Sequence, residues 1–392
     1  MDLQHRSLYA AFDVFPSRKG AAIHIDRFAR TLFETFEGGA LMVLGNPDLP
    51  SYQREGNVEI ARFASGIPNF LDRAMAWGDW IALTLDGQNR LELCHFRDPW
   101  SGAPIVLRPH RYATVYEVNA LPSIELPVMF PSISVRTLEK IRRMEVKIAE
   151  AADLVITPSA RTKALLAGLG VEAVVIPNGA DLDEPRPRPA DAPHRYLLYF
   201  GAPQSWQGID TLLRAFARLR DFEDLRLVIC ASRESKAWRP YERLAARLGV
   251  DQRIVWRYAV LEPELSAWRQ HAAVSVAPLT DSPRNVEQGC APLKILESMA
   301  SGTAVVASDV PPVRELIRDR HDGWLVHPER PAELARALRL LLDRPEQARE
   351  LGANARRTIA DRLTWDHATA TLRQAYKGVV NERLAGSPLT DR

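Results

Sequence analysis

Short runs rich in β-branched and aromatic residues alternate with helical apolar patterns, and this alternation restricts the possible folds more than any other feature. It is typical of parallel sheets whose strands are joined by crossover helices. In the first half, helical patterns cover 21–36, 69–86 and 136–151. The predicted strands are SLYAAF, GALMVL, VEIARF, LELCHF, ATVYEV, LVITPS and AVVIPN, then RYLLYFG, LRLVICA, RIVWRYA, AAVSVAPL, TAVVASD and GWLVH.

A charged, proline-rich segment without periodicity, at 181–194, separates the two series of strands and is predicted to be a linker. We therefore predict an N-terminal Rossmann-like domain over 1–180 and a C-terminal one over 195–370. Their ligand cleft is expected between them, at the carboxyl ends of the strands. A helix over 371–392 is long enough to return to the first domain.

Composition narrows the possible partners and compartments. The 392 residues include 51 basic and 49 acidic side chains, so no overall positive field favours nucleic acid as a partner. Cys94, Cys230 and Cys290 are odd in number and lack metal-ligand spacing, which favours a reduced, cytoplasmic chain. Neither a secretory leader nor an apolar run of 18 residues is evident, so we expect neither secretion nor membrane spanning.

The turn GAPQSWQGID at 201–210 lies between a predicted strand and a predicted helix. Such glycine-bearing turns receive anionic ligands in α/β proteins, because the free amides at the helix start point outward. This turn contains neither Lys nor Arg. If it binds a diphosphate, the balancing positive charge must come from elsewhere in the fold.

The segment 281–317 contains residues suited to that task. Gly289 permits a turn, Pro292 suits a helix start, and Lys294 and Glu297 lie one helical turn apart. Amides and Lys294 suit a diphosphate, whereas Glu297 can accept two hydrogen bonds from a vicinal diol such as ribose. The pair alone is more typical of a surface ion pair, but the small residues that follow indicate a short, closely packed helix, which favours the site.

The run PLKILESMASGTAVVASDVPPVREL resembles the donor-site signature of retaining family-4 glycosyltransferases of the GT-B fold, which is E-x7-E followed by AMA-x-G-x-PVVAS. The order of segments from Gly20 through IPNGADLD and YFG to TWDHA is similar too, so the resemblance covers nearly the whole chain. It implies sugar transfer, with retention, from a nucleotide diphosphate sugar to an acceptor hydroxyl in glycan, polysaccharide or glycolipid biosynthesis. It also implies that no metal cofactor is required.

The family's donor residues transfer only in part. Glu297 matches the second glutamate of the signature, which holds the ribose hydroxyls in the family. Gly289 stands where the first glutamate belongs, and nearby Glu287 is either its substitute or a solvated loop charge. The amides of Gly289, Cys290 and Ala291 can still bind a sugar hydroxyl or phosphate oxygen, without thiol chemistry at Cys290.

The family's Arg and Lys in the turn that begins at Gly201 correspond here to Ala202 and Gln207. A subset of the family combines glutamine at the second position with a lysine in the form P-x-K-x-x-E, which PLKILE matches. This resemblance implies that Lys294 supplies the positive charge while Gln207 keeps a neutral hydrogen-bonding role.

In the first domain, Gly20 at a predicted helix start resembles the family's glycine loop, whose amides face the donor phosphates across the cleft. Arg18 and Lys19 either add positive charge there or are solvated.

Asn119 stands where many members carry a histidine in the catalytic site. Arg97 and Asp98, at the end of another predicted strand, either face the acceptor or form a strand-end ion pair.

Two alternative functions remain open at this point. One is a GT-B nucleotide-sugar epimerase or hydrolase. The other is a non-catalytic nucleotide-sugar-binding protein, which is conceivable because Gly289 and Asn119 replace functional side chains of the family. The motifs specify neither the base, nor the donor sugar, nor the acceptor.

An apolar segment, LPVMFPSI, precedes a predicted basic helix and suits an anionic membrane surface. A carbohydrate or lipid-linked acceptor would then be reached at the inner face of the membrane. Three glutamates dilute the charge, so a solvated helix face is the alternative. The basic residues are Arg136, Lys140, Arg142, Arg143 and Lys147, and the glutamates are Glu139, Glu145 and Glu150.

Overall fold

The computed structural model describes residues 5–17 and 20–386, which form two compact units. Unit 1 joins Met1–Pro177 to Ala368–Arg392, and unit 2 is Asn178–His367. Each unit consists of a sheet with helices, and strands and helices alternate as the sequence predicts. The predicted pair of Rossmann-like domains is thereby confirmed.

In the described part of unit 1, eight strands form one sheet in the order β3-β4-β2-β1-β5-β6-β7-β8. All neighbours in it are parallel except β3 and β4. The strands are Ser7–Val14 (β1), Gly39–Leu44 (β2), Tyr52–Glu55 (β3), Val58–Phe63 (β4), Leu93–Phe96 (β5), Ala113–Glu117 (β6), Leu154–Thr157 (β7) and Val174–Val175 (β8).

Helices connect these strands, as crossovers between parallel strands require. They are Gly20–Thr35 (α1), Phe70–Leu85 (α2), Pro99–Val106 (α3), Pro122–Met129 (α4), Val135–Ala151 (α5) and Ala160–Ala167 (α6).

In unit 2, six strands form an all-parallel sheet in the order β11-β10-β9-β12-β13-β14. They are Arg195–Gly201 (β9), Leu225–Ala231 (β10), Ile254–Tyr258 (β11), Val274–Ala277 (β12), Val305–Ser308 (β13) and Trp324–Val326 (β14).

The α-helices that follow β9 are short except near the end of the chain. They are Ile209–Phe216 (α7), Arg239–Arg247 (α8), Glu264–Gln270 (α9), Leu293–Ala300 (α10), Pro311–Arg314 (α11), Pro331–Asp343 (α12), Pro345–Arg362 (α13) and Trp365–Gly386 (α14). From Ala368 onward α14 belongs to unit 1, where the Tyr376 and Leu372 side chains are fully buried.

The segment predicted as a linker, 181–194, contains neither helix nor strand. It is nevertheless hydrogen-bonded to α9 of unit 2: Arg186 N donates to Gln270 Oε1 at 2.9 Å, and Gln270 Nε2 donates to Glu184 O at 2.7 Å. These bonds attach the segment to unit 2, to which it belongs.

Candidate functional site

The turn at 201–208 is shaped by two glycines. Gly201 ends β9 at φ +133°, and Gly208 starts α7 at φ +65°. A Cβ on Gly208 would lie 1.8 Å from Pro278 O, so no other residue fits there without moving the backbone. The Tyr199 hydroxyl donates to Ala202 O at 3.2 Å and helps to hold the turn.

Lys294 is the second residue of α10, and its side chain lies directly against this turn. Its Nζ donates to Gln207 Oε1 at 2.5 Å and lies 4.2 Å from the centre of the Tyr199 ring. A Cβ on Gly201 would lie 3.1 Å from the same Nζ, so the glycine leaves room for the ammonium group. The structure thus brings Lys294, Gln207 and Gly201 together from two segments about 90 residues apart.

The surroundings weaken the proton affinity of Lys294. Its pKa is lowered to about 7, mainly by burial; the Glu297 carboxylate opposes this shift, and the nearby Arg284 guanidinium adds to it. A second positive charge therefore stands close to Lys294. The neutral amide oxygen of Gln207 solvates the ammonium without cancelling its charge, which leaves that charge for an anionic ligand.

Asn285 is a fully buried residue that sequence reasoning missed. Its Nδ2 donates to Trp206 O at 2.9 Å and to Thr280 O at 3.0 Å, and Arg284 lies over the Trp206 ring at 4.9 Å. Asn285 therefore ties the turn before α7 to the loop before α10. A single amide in a polar loop has no pattern by which the sequence could have identified it.

The loop that leads into α10 is held by hydrogen bonds. Gly289, at φ +89°, donates its N–H to Arg284 O at 3.1 Å, and Ala291 O accepts from Asn178 Nδ2 at 3.0 Å. Cys290 is buried, with its Sγ 3.9 Å from Asn285 Oδ1.

Glu287 lies in a π-helical turn, Arg284–Gln288, and is exposed. Within the described residues it makes no hydrogen bond or ion pair with Lys294, Gln207 or any other side chain.

Glu297 lies one turn after Lys294 and is partly buried. Its carboxylate oxygens accept no hydrogen bond from the described part of the chain. Burial raises its pKa, Arg269 lowers it, and the carboxylates of Glu262 and Asp183 raise it again. A carboxylate with unused acceptors beside a cation can receive the hydroxyls of a diol.

Unit 1 contains a buried carboxylate that the sequence analysis did not identify. Glu117, at the end of β6, is 1% exposed. Its Oε2 accepts from the Tyr9 hydroxyl at 2.9 Å and lies 3.1 Å from His95 Nε2. Its Oε1 accepts from Arg97 Nε at 3.0 Å and from Asn119 Nδ2, and it lies 2.7 Å from His24 Nε2. The sequence did contain one indication of this site, a single glutamate in the apolar run ATVYEV. An ionisable residue in a buried strand is expected to have a charged or polar partner, because such residues are rarely buried alone.

Electrostatics keep this carboxylate charged. Burial opposes the charge, but the neighbouring His24 and Arg97 hold the pKa of Glu117 well below its usual range. Burial acts to lower the pKa of Arg97, but Glu117, Tyr9 and Asp13 raise it above its usual value, and Asp13 Oδ2 is 3.5 Å from Arg97 Nη1. Arg97 therefore forms ion pairs with Glu117 and Asp13. The alternative prediction, a strand-end ion pair of Arg97 with the adjacent Asp98, is not what the structure shows.

The carboxylate of Asp98 accepts hydrogen bonds from nearby backbone N–H groups. It caps α3 by accepting from Ser101 N at 2.8 Å, and its Oδ2 accepts from Phe12 N at 2.7 Å. Burial raises the pKa of Asp98 to about 6, although these hydrogen bonds oppose the shift. Gly20 is the first residue of α1, whereas Arg18 and Lys19 lie outside the described residues.

All three cysteines are buried and free of disulfide bonds. No three His, Cys, Asp or Glu side chains in the described ranges are grouped so that they could hold a metal ion. No helix there is both long and apolar enough to cross a bilayer.

Comparison with known proteins gives a family match for each half of the chain. Residues 18–184 match the family described as Glycosyltransferase Family 4, and residues 194–344 match the family described as Glycosyl transferases group 1. Each half of the chain is thus similar to a glycosyltransferase family domain. The order of these domains agrees with the GT-B fold predicted from the resemblance, and solved structures support that fold.

Among solved structures, the sucrose-phosphate synthase of Thermosynechococcus elongatus superposes on this chain with a TM-score of 0.79 at 20% identity, over 96% of this chain and all of that one. Anabaena HepE, in complex with UDP and glucose, superposes with a TM-score of 0.73 at 17% identity, over 96% of this chain and all of HepE. At these identities the likeness establishes the fold alone.

The curated relatives include an MMP alpha-(1->4)-mannosyltransferase of Mycolicibacterium hassiacum, which is 30% identical over 53% of this chain and 48% of that protein. A D-inositol 3-phosphate glycosyltransferase of Geodermatophilus obscurus is 32% identical over 74% of this chain and 64% of that protein. The matched region therefore spans about half to two thirds of these relatives' length.

Proposed function

We propose that this chain transfers a glycosyl unit, with retention, from a nucleoside diphosphate sugar to a hydroxyl of a carbohydrate or lipid-linked acceptor. The observation that carries the proposal is the contact of Lys294 with Gln207 at the glycine turn of unit 2, one helical turn from the unpaired carboxylate of Glu297. Such a cation beside such a carboxylate matches a diphosphate joined to a ribose. UDP bound to HepE, a protein of the same fold, supports this choice of donor.

Each group has a role in the proposed reaction. Lys294, with Arg284 beside it, stabilises the negative charge that develops on the β-phosphate when the bond from its oxygen to the anomeric carbon breaks. The acceptor oxygen bonds to that carbon from the same face, and the leaving phosphate takes its proton. Glu297 holds the ribose diol, and the backbone amides at 289–291 bind sugar or phosphate oxygens. This scheme requires no metal.

The first experiment identifies the donor. UDP, GDP and ADP sugars are screened by thermal shift, because a ligand that binds only the native protein raises its melting temperature. Transfer to carbohydrate and lipid-linked acceptors is then assayed with and without EDTA, and the product anomer is determined by NMR. We expect retention and full activity in EDTA. Inversion at the anomeric carbon would refute the mechanism, and loss of activity in EDTA would refute its independence of metal.

Variants test the assigned roles. Lys294→Ala should lower kcat at least about 100-fold, because a charge that stabilises the leaving group acts mainly in the transition state. Glu297→Ala should mainly weaken nucleotide binding. Lys377→Ala, which changes an exposed lysine of α14, is the control. Rapid donor conversion without acceptor would favour an epimerase or hydrolase, and tight nucleotide binding without any transfer would favour a binding protein.

We also propose that the protein works in the cytoplasm, at the inner face of the membrane. The tip of α4 exposes Val128, Met129 and Phe130, and Val135 at the start of α5 is 72% exposed. Exposed apolar residues beside basic ones suit an anionic lipid surface, and a lipid-linked acceptor would lie there. The three buried cysteines form no disulfide bond, which supports the reducing compartment.

The basic side chains of α5 form a row. Arg136, Lys140, Arg143 and Lys147 are exposed, and their spacing of four, three and four residues places them on one face. None of them forms an ion pair with a described residue. Glu145, one of three acids expected to dilute the charge, is instead buried, where Ser123 donates to both its oxygens and burial raises its pKa to about 7.

Flotation with vesicles tests this surface. The triple variant Arg136→Gln, Lys140→Gln, Arg143→Gln should lose binding to phosphatidylglycerol-containing vesicles, while neither it nor the wild type binds pure phosphatidylcholine. The matched control neutralises three exposed arginines of α8 in unit 2, namely Arg239, Arg243 and Arg247. Equal losses in both variants, or no loss in the first, would refute the membrane contact.

A further inference from the structure

The buried carboxylate of Glu117 determines which polar atoms of Arg97 and Asn119 remain available for hydrogen bonds to a ligand. Arg97 donates Nε to Oε1 of Glu117 and Nη1 to Asp13 and Ala21 O, so its Nη2 alone makes no hydrogen bond to a described residue. Asn119 donates Nδ2 to the same Oε1, and its Oδ1 has no partner there. Arg97 Nη2 is thus an unused donor group and Asn119 Oδ1 an unused acceptor, on two side chains that both donate to Glu117 Oε1.

The charge of Glu117 determines the orientation of the Asn119 amide. An ionised carboxylate only accepts hydrogen bonds, so the NH₂ group of Asn119, and not its oxygen, must face it. The reversed amide would place two oxygens against each other. Neutralising Glu117 would remove this constraint, and the amide could then turn.

His95 transmits a contact from the C-terminal helix to Glu117. Burial lowers the pKa of His95, so its ring is neutral. With ionised Glu117 at 3.1 Å, Nε2 must carry the proton, and Nδ1 therefore accepts from the Tyr376 hydroxyl at 2.6 Å. Tyr376 lies on α14, 281 residues after His95. The hydroxyl thus fixes the tautomer that binds Glu117.

We propose that Glu117, together with Tyr376 acting through His95, positions Arg97 and Asn119 to bind an acceptor that bears neighbouring hydroxyl groups. One hydroxyl donates to Asn119 Oδ1, and the oxygen of the next accepts from Arg97 Nη2. Both residues follow strands β5 and β6 at their carboxyl ends, which is where parallel sheets bind ligands. The acceptor role rests on the glycosyl transfer proposed above, whereas the positioning itself does not.

Nuclear magnetic resonance tests the positioning without any substrate. The full chain is labelled with ¹⁵N in His, Arg and Asn, and Tyr376→Phe is compared with Tyr112→Phe. Tyr112 is a matched control, since it is a buried tyrosine of unit 1 whose hydroxyl donates to Ile105 O at 3.0 Å. In the wild type we expect His95 to be neutral with its proton on Nε2 at pH 7 to 8, because its pKa is lowered. In Tyr376→Phe the Asn119 carboxamide and Arg97 Nε signals should move.

The pKa of His95 should rise in Tyr376→Phe, because Nδ1 loses the donor that favours the neutral ring. The titratable groups that face His95 come from every element packed on it: Tyr9 of β1, His24 of α1, Arg97 after β5, Glu117 of β6 and Tyr376 of α14. Unchanged Asn119 and Arg97 signals in Tyr376→Phe, or equal movement in Tyr112→Phe, would overturn the positioning claim.

Kinetics with a polyol acceptor test its function. With the donor identified by thermal shift and D-inositol 3-phosphate as the probe, Glu117→Gln should raise the acceptor KM at least about tenfold and leave the donor dissociation constant unchanged. Tyr376→Phe should raise the acceptor KM several-fold. In a plot of kcat/KM for the acceptor against pH, the acid limb of this variant should move to higher pH. A purely structural loss would lower both affinities. If the wild type binds no nucleotide sugar, the proposed transfer fails, whereas the resonance result still decides the positioning.

Discussion

Lys294 places an ammonium group beside the glycine turn. Lys294 comes from α10, yet its ammonium group bonds to Gln207 in a turn that has no basic residue of its own. Since Gln207 is neutral and Glu297 is one helical turn away, the ammonium charge is solvated but not cancelled. The position therefore suits a ligand that brings negative charge.

Donor affinity should depend on pH through Lys294. Its pKa is about 7 without ligand, and a bound diphosphate favours the charged form and raises it. Below pH 7 the ammonium is already charged, so affinity is constant. Above pH 7 binding must take up a proton, so affinity falls by up to about tenfold per pH unit.

Calorimetry of nucleotide-sugar binding between pH 6 and 8.5 measures this dependence. The two phosphates of the ligand are esterified and do not titrate in that range. At pH 8, buffers with different ionisation enthalpies should reveal proton uptake by the wild type and none by Lys294→Gln. Binding that is equally tight at pH 6 and 8.5 would show that the lysine does not contact the diphosphate.

The residues predicted to form the donor site belong to spaced motifs, and their role stays a prediction. Lys294, Gln207 and Gly201 could be predicted because a helix start and a glycine turn have local signatures, and the structure brings them together. Glu117 and Asn285 were missed, because each depends on partners distant in sequence. Burial that results only from tertiary contacts leaves no local pattern.

At the scale of the element, strand positions could be predicted better than the sheet edge. Every predicted strand corresponds to a strand of the structure, but β3, with the sequence YQRE, was missed. It is a mostly exposed antiparallel edge strand, so it needs no apolar pattern. The apolar segment at 126–133 overlaps α4, a short helix with an internal proline that periodicity could not indicate.

The turn before α7 depends on Gly208, and a pair of glycine variants tests this dependence. Gly208→Ala should destabilise the protein by more than about 2 kcal/mol, because of its positive φ and the close Pro278 O, and should abolish donor binding. Gly378→Ala, at an exposed position of α14 with open space for a Cβ, should instead stabilise by about 0.5–1 kcal/mol. Urea denaturation measures both, and equal effects would contradict the assigned role of the turn.

At the scale of the whole molecule, each unit has its own hydrophobic core. Leu338 is fully buried in the core of unit 2, and Ile81 in that of unit 1. Two Rossmann-like units could be predicted from the alternating pattern. The contact of Tyr376, on α14, with His95 in unit 1 could not be predicted. The length of a helix indicates how far it can extend, not which residues it contacts.

Separate cores predict separable unfolding. Leu338→Ala and Ile81→Ala should each cost about 2–5 kcal/mol and should each lower a different transition in scanning calorimetry. The nucleotide sugar should raise the transition that Leu338→Ala lowers. One transition affected equally by both variants would contradict independent cores, and a ligand shift confined to the other transition would contradict a donor site in unit 2.

The central claim is that Lys294 supplies the charge that binds the donor diphosphate. The most direct test is isothermal calorimetry at pH 6, comparing the tightest-binding nucleoside diphosphate among UDP, GDP and ADP with its own nucleoside. Since charge-assisted hydrogen bonds contribute about 1.5–3 kcal/mol, Lys294→Gln should weaken diphosphate binding by about tenfold or more. Nucleoside binding should not change. An unchanged diphosphate affinity in Lys294→Gln would contradict the account.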